Sequence, residues 1–250
     1  MKIALIGYGK MGRAIEQAAI ARSHSIVCKI DADNTEAFSS DAFRSADVAI
    51  EFSTPSTAVE NYRLAFAQGV KVVSGTTGWT EQMPLVRDLC NRYGATFLWS
   101  SNYSIGVNIF FALNRYLAEL MANFSQYQPQ IEEVHHIHKL DHPSGTAISL
   151  ANDLIDSIPT LREWTEEPAP LPGQLPIAHR REGEVPGIHT VTWQSPVDTI
   201  SITHSARSRM GFAVGAVMAA EWVATQKGFL TMPQFMHHII SNSKLLDILK

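Results

Sequence analysis

Between residues 2 and 99, short apolar runs alternate with segments of helical periodicity, and this pattern restricts the fold more than any other feature of the chain. The runs are KIALIG, SIVCKID, ADVAIEFS, VKVVSG and ATFLWS, each ending at or near a small or polar residue. Between them, MGRAIEQAAIA, STAVENYRLAFAQG and a stretch near Glu81 to Arg92 carry apolar residues at helical spacing. Strands and helices that alternate through short connections predict a parallel sheet flanked by helices.

The pattern changes after Asn102. GVNIFFALNRYLAELMANF predicts a long helix and PQIEEVHHIHK a strand of mixed polarity, which puts a domain boundary near Ile105. From Ser157 to Pro176 the chain is rich in proline and acidic residues and reads as an exposed loop without a regular element, free to move or to cross a subunit boundary. IAHRREGEV, GIHTVTWQS and DTISITHSA have the β-branched content and near-alternation of antiparallel strands in an open sheet. MGFAVGAVMAAEWVATQKG then predicts a buried helix, and MPQFMHHIISNSKLL an amphipathic one that closes the chain.

Composition bounds the partners. A chain of 250 residues that is 45% hydrophobic can build one large domain or two modest ones. Lys+Arg 20 against Asp+Glu 24 gives a net charge of -4, so no overall basic field draws nucleic acid or an anionic membrane, and a small-molecule partner is expected. The apolar runs fall short of the roughly 18 residues that a spanning helix needs, which predicts a soluble, cytoplasmic protein. Cys28 and Cys90 have neither paired nor metal-ligand spacing and read as buried fillers in a reducing compartment.

Gly7, Gly9 and Gly12 in GYGKMG match G-x-G-x-x-G between a strand and a helix, where glycines permit a tight turn and close backbone approach to a pyrophosphate at the helix N-terminus. Asp31 ends the second strand roughly 20 residues on, where an acidic side chain either binds the adenosine ribose hydroxyls or caps a helix. SGTTG (Ser74 to Gly78) and SSNYS (Ser100 to Ser104) follow later strands, at the sheet edge where ligands bind in open α/β folds. They either present backbone groups to a nicotinamide carboxamide or are ordinary turns, and Tyr103 either covers the ring or packs.

VHHIHKLDHPSGTA, Val134 to Ala147, is the second candidate site. As a strand it sends His136 and His138 to one face and His135 to the other, so three adjacent metal ligands are not presented together. His136 with His138 remains a possible metal pair, with Asp141 and His142 the next ligands along the chain, but no metal is expected. His138 and His142 read as structural. Pro143 cannot sit inside a helix, and SGTAISLANDLI after it predicts one whose N-terminus is Ser144 to Thr146. Open backbone N–H groups there, beside a lysine and histidines, suit a carboxylate-bearing substrate, and a histidine can move a proton near neutral pH.

EEVHHIHKLDHPSGTA resembles the substrate motif of the 4-hydroxy-tetrahydrodipicolinate reductases, formerly the dihydrodipicolinate reductases, whose pattern runs H-H-x-x-K-x-D-x-P-S-G-T-A. GYGKMG, EFSTP, SGTTG, SSNYSIGVN, RREGEVPGIHT and ITHSARSRMGFAVGAV stand in that family's order, so the resemblance covers nearly the whole chain. It implies an α/β fold with an N-terminal Rossmann dinucleotide-binding domain completed by C-terminal helices, residues 1–104 and 208–250. Inserted in it is an α/β domain for substrate binding and tetramerisation, residues 105–207, on an open mixed sheet.

The implied activity is reduction of 4-hydroxy-tetrahydrodipicolinate, via dihydrodipicolinate, to tetrahydrodipicolinate in the diaminopimelate and lysine pathway, by a homotetramer using NADH or NADPH. His135 takes the acid/base role and Lys139 that of proton donor or charge partner, while His136, Ser144, Gly145 and Thr146 hold the dicarboxylate. Gly7, Tyr8, Gly9, Lys10, Met11, Gly12 and Asp31 hold the dinucleotide, and Gly75, Thr76, Thr77, Ser100, Ser101, Asn102 and Tyr103 lie at the nicotinamide.

Two departures from the family pattern bear on cofactor choice. The glycine motif is one residue shorter than the usual G-x-x-G-R-M-G and has Lys10 where arginine is common, and Ala32 and Asp33 follow Asp31 where some members have arginine. Acidic groups without an adjacent arginine favour NADH, although Lys10 and Lys29 are candidates to reach a 2′-phosphate. His142 for the common alanine and Pro186 are smaller deviations. Two other classes are compatible with parts of the pattern: a non-catalytic dinucleotide sensor, and an aldehyde dehydrogenase, which needs a catalytic thiol.

Overall fold

A computed structural model describes residues 1–241. The chain divides into two compact units, one of residues 1–104 and 210–250, the other of residues 105–209.

In the first unit the elements in chain order are β1 (Lys2–Ile6), α1 (Lys10–Ala21), β2 (Ser25–Ile30), α2 (Asp41–Arg44), β3 (Val48–Glu51), α3 (Pro55–Ala67), β4 (Lys71–Ser74), α4 (Met83–Arg92) and β5 (Thr96–Trp99). The second unit holds α5 (Ile105–Met121), β6 (Gln128–His135), α6 (Gly145–Ser157), β7 (Glu163–Thr165), β8 (Gln174–Arg181), β9 (Ile188–Gln194) and β10 (Thr199–Ser205). α7 (Met210–Val223), β11 (Gly228–Leu230) and α8 (Met232–Ser241) return to the first. The closing segment beyond 241, read from sequence as part of the last helix, lies outside the described residues.

The first sheet is parallel throughout, in the order β11-β5-β4-β3-β1-β2. Its central strands are buried on both faces, which is why they read as continuous apolar runs. Tyr62, Phe66, Trp79 and Phe229 surround Phe97 with ring centroids 4.9 to 6.2 Å apart, and α7 packs on α1 and across β3 and β4. The chain leaves β1 toward β2 and then returns to β3 on the other side, so a crevice opens at the carboxyl ends of β1 and β3, where such sheets bind ligands. β11 went unread in the sequence because three residues cannot display a period.

The second sheet is mixed, in the order β10-β9-β6-β8-β7. α5 and α6 cover one face, burying Ile131, Leu150, Leu154, Leu175, Ile177, Val191 and Trp193 between helices and strands. On β9 and β10, Thr190 bonds Thr203 and Thr192 bonds Ser201 through their hydroxyls. Three readings are corrected here. The segment 157–176 contains β7, which pairs with Gln174–Pro176. β8 runs parallel to β6 and β7, because α6 returns the chain to the starting end of the sheet for β7 and residues 166–173 return it again for β8; β9 pairs antiparallel with both β6 and β10. β6 ends at His135, so His136 and His138 lie in a turn, where strand alternation does not apply.

No helix among the described residues is long and apolar enough to cross a membrane.

Candidate functional site

In the first unit the glycine turn is drawn tight by two backbone bonds. Gly7 N–H donates to Ile30 O at 2.8 Å, and Phe52 N–H donates to Ile6 O at 2.8 Å. Gly7 has φ +86°, and a Cβ there would stand 2.1 Å from Phe52 O, so only glycine lets β1 and β3 close up at this point. Gly9 is the N-cap of α1, which has no side-chain cap and no acidic residue in its first turn, so its leading N–H groups are open to an anion.

Asp31 stands beside the turn, with its carboxylate accepting from Tyr8 N–H at 3.3 Å and Ala32 N–H at 3.0 Å. A cavity of about 270 Å³ is lined by Gly7, Tyr8, Gly9, Asp31, Ala32 and the β3–α3 turn. A second, of about 360 Å³, brings Gly9, Lys10 and Met11 together with Gly75, Thr76 and Thr77. Two segments that are distant in sequence thus line one space.

The GTT turn is anchored from beneath by Glu51, which is fully buried and which the sequence reading passed over. Glu51 accepts from Ser74 Oγ at 2.6 Å, Thr76 Oγ1 at 2.9 Å, Ser53 N–H at 3.1 Å and the Ser53 hydroxyl. Burial pushes its carboxyl above the ordinary range against these bonds. Thr76 O accepts from the indoles of both Trp79 and Trp99 at 2.7 Å. Tyr103, one of the two open readings, packs: it is buried, and its hydroxyl donates to Ser74 O at 2.8 Å. In the SSNYS turn, Ser100 Oγ donates to Asn102 O and Asn102 Oδ1 accepts from Ser104 N–H, so these side chains shape the loop, while Ser101 is exposed.

Cys28 is half-buried and Cys90 buried, and burial raises both thiols above their ordinary range, the reverse of what a catalytic thiol needs.

In the second unit β6 alternates so that Ile131, Glu133 and His135 face inward. Glu133 is fully buried. It is directly opposite His189 in the β6–β9 register, and its Oε2 lies 3.6 Å from His189 Nε2 and 3.6 Å from His135 Nδ1. Ser144 N–H donates to the same oxygen at 3.0 Å. Ser144 Oγ caps α6 by accepting from Ala147 N–H at 3.2 Å and sits 3.0 Å from His189 Nε2. The N–H and hydroxyl of Ser144 are therefore engaged within the protein, and the outward N–H groups at the start of α6 are those of Gly145 and Thr146.

Arg181 Nη1 stands 3.6 Å from Glu133 Oε1, and the same guanidinium holds the carbonyls of Lys139 and Asp141 at 3.2 and 2.8 Å. Lys139 pairs with Asp141 at 2.6 Å. The His136 ring lies 6.0 Å from that of His138, which itself bonds Glu184 at 3.0 Å.

Burial, set against the attraction of Glu133 and aided by His189, Lys139 and Arg181, lowers the His135 pKa to about 4. Burial would raise Glu133, but the His189 and Ser144 side chains and the Ser144 N–H outweigh it and bring the pKa to about 2. At neutral pH the pair is a neutral imidazole over a buried carboxylate, rimmed by Lys139 and Arg181. Glu133, His189 and Arg181 were missed from sequence; the available signal was the two-residue spacing that puts Glu133 on the face of His135.

His142, read as structural, bonds Glu166 at 2.8 Å, and His179 bonds the same oxygen at 3.0 Å. The two rings stack at 4.3 Å and 19°, and both Nδ1 atoms meet the one Glu166 oxygen, so the trio forms an exposed clasp.

Family models described as dihydrodipicolinate reductase, N-terminus, and dihydrodipicolinate reductase, C-terminus, match residues 1–103 and 106–236. The chain belongs to the dihydrodipicolinate reductase family. A 4-hydroxy-tetrahydrodipicolinate reductase of Christiangramia forsetii is 44% identical over 97% of this chain and 100% of its own length. One of Archaeoglobus fulgidus is 33% identical over 94% and 100%. Among solved structures, a dipicolinate-bound dihydrodipicolinate reductase from Paenisporosarcina sp. TG-14 shares the fold with a TM-score of 0.72 and 22% identity, over 92% of this chain and 97% of that one. The dihydrodipicolinate reductase models meet between residues 103 and 106, beside the first crossing between compact units, while the C-terminal one runs on through α7, which belongs to the first unit.

Proposed function

We propose that the chain reduces 4-hydroxy-tetrahydrodipicolinate, through the dehydrated heterocycle, to tetrahydrodipicolinate, with NADH as the preferred donor. The observation that carries this reading is the buried His135–Glu133 pair beside the open start of α6, in a chain whose relatives carry that enzyme name. The first unit binds the dinucleotide through the Gly7–Gly12 turn, Asp31 and Gly75–Thr77. When bound, the dinucleotide supplies a hydride to a ring carbon of the substrate.

In the second unit the N–H groups of Gly145 and Thr146, the Thr146 hydroxyl and His136 receive the carboxylates, and Lys139 and Arg181 provide positive charge. His135 is neutral before substrate binds; two arriving carboxylates raise its proton affinity, so the proton is taken up as the dicarboxylate binds. His135 then delivers it to the carbon next to the one that receives hydride. The positive groups are fixed before charge develops on the ring. Turnover of NADH with freshly made product of the preceding synthase tests the assignment; purified protein that binds NADH without oxidising it in that assay would instead be a dinucleotide sensor.

The Thr146 hydroxyl separates binding from chemistry. Thr146→Val keeps the shape and the backbone donor but removes one hydrogen bond to a charged group, so KM should rise about tenfold with kcat within about twofold. Steady-state kinetics on the variant checks this, and a fall confined to kcat would contradict the role.

NADH preference is supported by where the cations are. Lys29 is held by Glu16 at 2.7 Å and by the Tyr8 hydroxyl at 3.0 Å, with its ammonium 4.4 Å from the Tyr8 ring. Lys10 lines the cavity shared with Gly75–Thr77, separate from the one that Asp31 lines. Glu16→Gln should release Lys29 and raise kcat/KM for NADPH severalfold with little change for NADH, and Ala32→Arg should move the ratio the same way. Wild-type values that favour NADPH would overturn the preference.

A homotetramer is the assembly we assign. Ile109, Leu113, Tyr116 and Leu120 recur at helical spacing on α5 and are all more than two-fifths exposed, an apolar stripe that suits burial against another copy. A cytoplasmic site of action goes with a supply of reduced dinucleotide.

A further inference from the structure

A catalytic imidazole needs one edge committed to the protein so that the other is committed to the substrate. The surroundings of His135 divide in that way. Its Nδ1 is buried without a hydrogen-bond partner, and the carboxylate of Glu133 stands 3.6 Å away. Its Nε2 edge faces Gly187, where a Cβ would come within 3.1 Å of Nε2; the missing side chain, at φ +153°, keeps that edge clear. The ring of His189 meets it edge-on at 5.0 Å and 73°. A small ring rotation, closing the gap by a few tenths of an ångström or somewhat more, brings Nδ1 into bonding range of Glu133, as catalytic hydrogen bonds commonly tighten when substrate arrives.

Glu133 cannot follow other partners, because Ser144 N–H holds it at 3.0 Å and His189 lies across the strand pair from it. A fully buried carboxylate is costly to keep unless its surroundings use the charge. The groups that face His135 are Glu133 on β6, His189 on β9, Arg181 on β8 and Lys139 in the turn after β6. Of these, Glu133 alone favours the imidazolium.

We infer that Glu133 is a positioning residue: it accepts the Nδ1 proton of His135, fixes Nε2 as the edge that exchanges protons with substrate, and sustains the imidazolium against the cations Lys139 and Arg181, while Ser144 and His189 hold the carboxylate in place. The inference rests on the reading of His135 as the proton donor of a reductase. It also gives Ser144 a role through Glu133 rather than at the substrate.

The sign of the pH effect follows. Catalysis requires protonated His135 in the complex, so kcat falls as pH rises through the His135 pKa. Removing the Glu133 charge lowers that pKa, and the alkaline limb of kcat moves to lower pH. Glu133→Gln, nearly equal in shape, should move the limb down by about one unit, so that kcat on that limb drops about tenfold at a given pH. Glu133→Asp keeps the charge and should leave the limb within a few tenths of a unit, although kcat itself falls. An unchanged limb in Glu133→Gln, with kcat lowered equally at every pH, would mean a merely structural carboxylate and would overturn the inference.

Should the glutamine variant not fold, nitrogen-15 NMR of wild-type His135 decides: the Nδ1–H tautomer is expected, and the Nε2–H tautomer refutes the proposal. That measurement needs no turnover. A wild-type protein inactive in the synthase-coupled assay but with Nδ1–H at His135 would therefore refute the reductase reading and leave the Glu133–His135 coupling standing.

Discussion

His135→Ala should lower kcat by roughly 10²–10⁴-fold, the usual worth of a placed proton donor, while KM moves by no more than about threefold. The asymmetry follows from where the ring sits. His135 is buried with one edge toward Glu133 and the other toward Gly187, whereas the carboxylate contacts assigned to Gly145 and Thr146 belong to the start of α6. Truncation removes the proton route and leaves that helix start in place. Alanine also leaves Glu133 without the imidazole beside it, and Ser144 and Arg181 remain as its neighbours. The check is a full kinetic comparison at several pH values: the variant should lose the alkaline limb that His135 imposes. A variant with near-normal kcat and greatly raised KM would move His135 from proton transfer to binding.

Gly7→Ala should damage the first unit severely. The backbone angle of +86° is unfavourable for alanine, and the added carbon would lie 2.1 Å from Phe52 O and 2.6 Å from its carbonyl carbon. Strained backbone and forced separation of β1 from β3 together cost about 2–5 kcal/mol. Scanning calorimetry should then show a melting temperature lowered by roughly 5 to 15 °C. Fluorescence titration should show NADH affinity down more than about tenfold, because the turn that approaches the pyrophosphate is the turn that is pushed open. Wild-type melting together with wild-type NADH affinity would show that the β1–β3 crossing has slack that the structure does not display.

What could be read from sequence, and what could not, separates by the range of the interactions. The alternation of KIALIG, SIVCKID and the later runs is a local pattern, and it predicted the parallel sheet. The start of α6 was equally local, since Pro143, the Ser144 cap and the apolar periodicity all lie within a few residues. β7 and β11 are three residues each, too short for any period, and exist because a neighbouring strand pairs with them. The direction of β8 depends on the return of residues 166–173 after β7, and its β-branched, alternating look suggested a hairpin partner instead. The buried acids were the harder case. Glu51 and Glu133 look like outward polar positions on strands, and what makes them tolerable inside are donors 11 to 56 residues away, Ser144 and His189 for one and Ser74 and Thr76 for the other. Tyr103 was ambiguous for the same reason: its inward orientation depends on the Ser74 carbonyl.

Each of two turns hangs from such an internal acid, the GTT turn from Glu51 and the start of α6 from Glu133. A loop tethered from behind keeps its path whatever side chains it displays in front. Under the proposed function, exchanging Thr77, Thr146 or the residues after Asp31 should therefore alter the choice of dinucleotide or of acid substrate, while the scaffold that aims them stays the same. Redesign of specificity can proceed by exchanging outward side chains, and the two interior acids are the positions that it must leave in place.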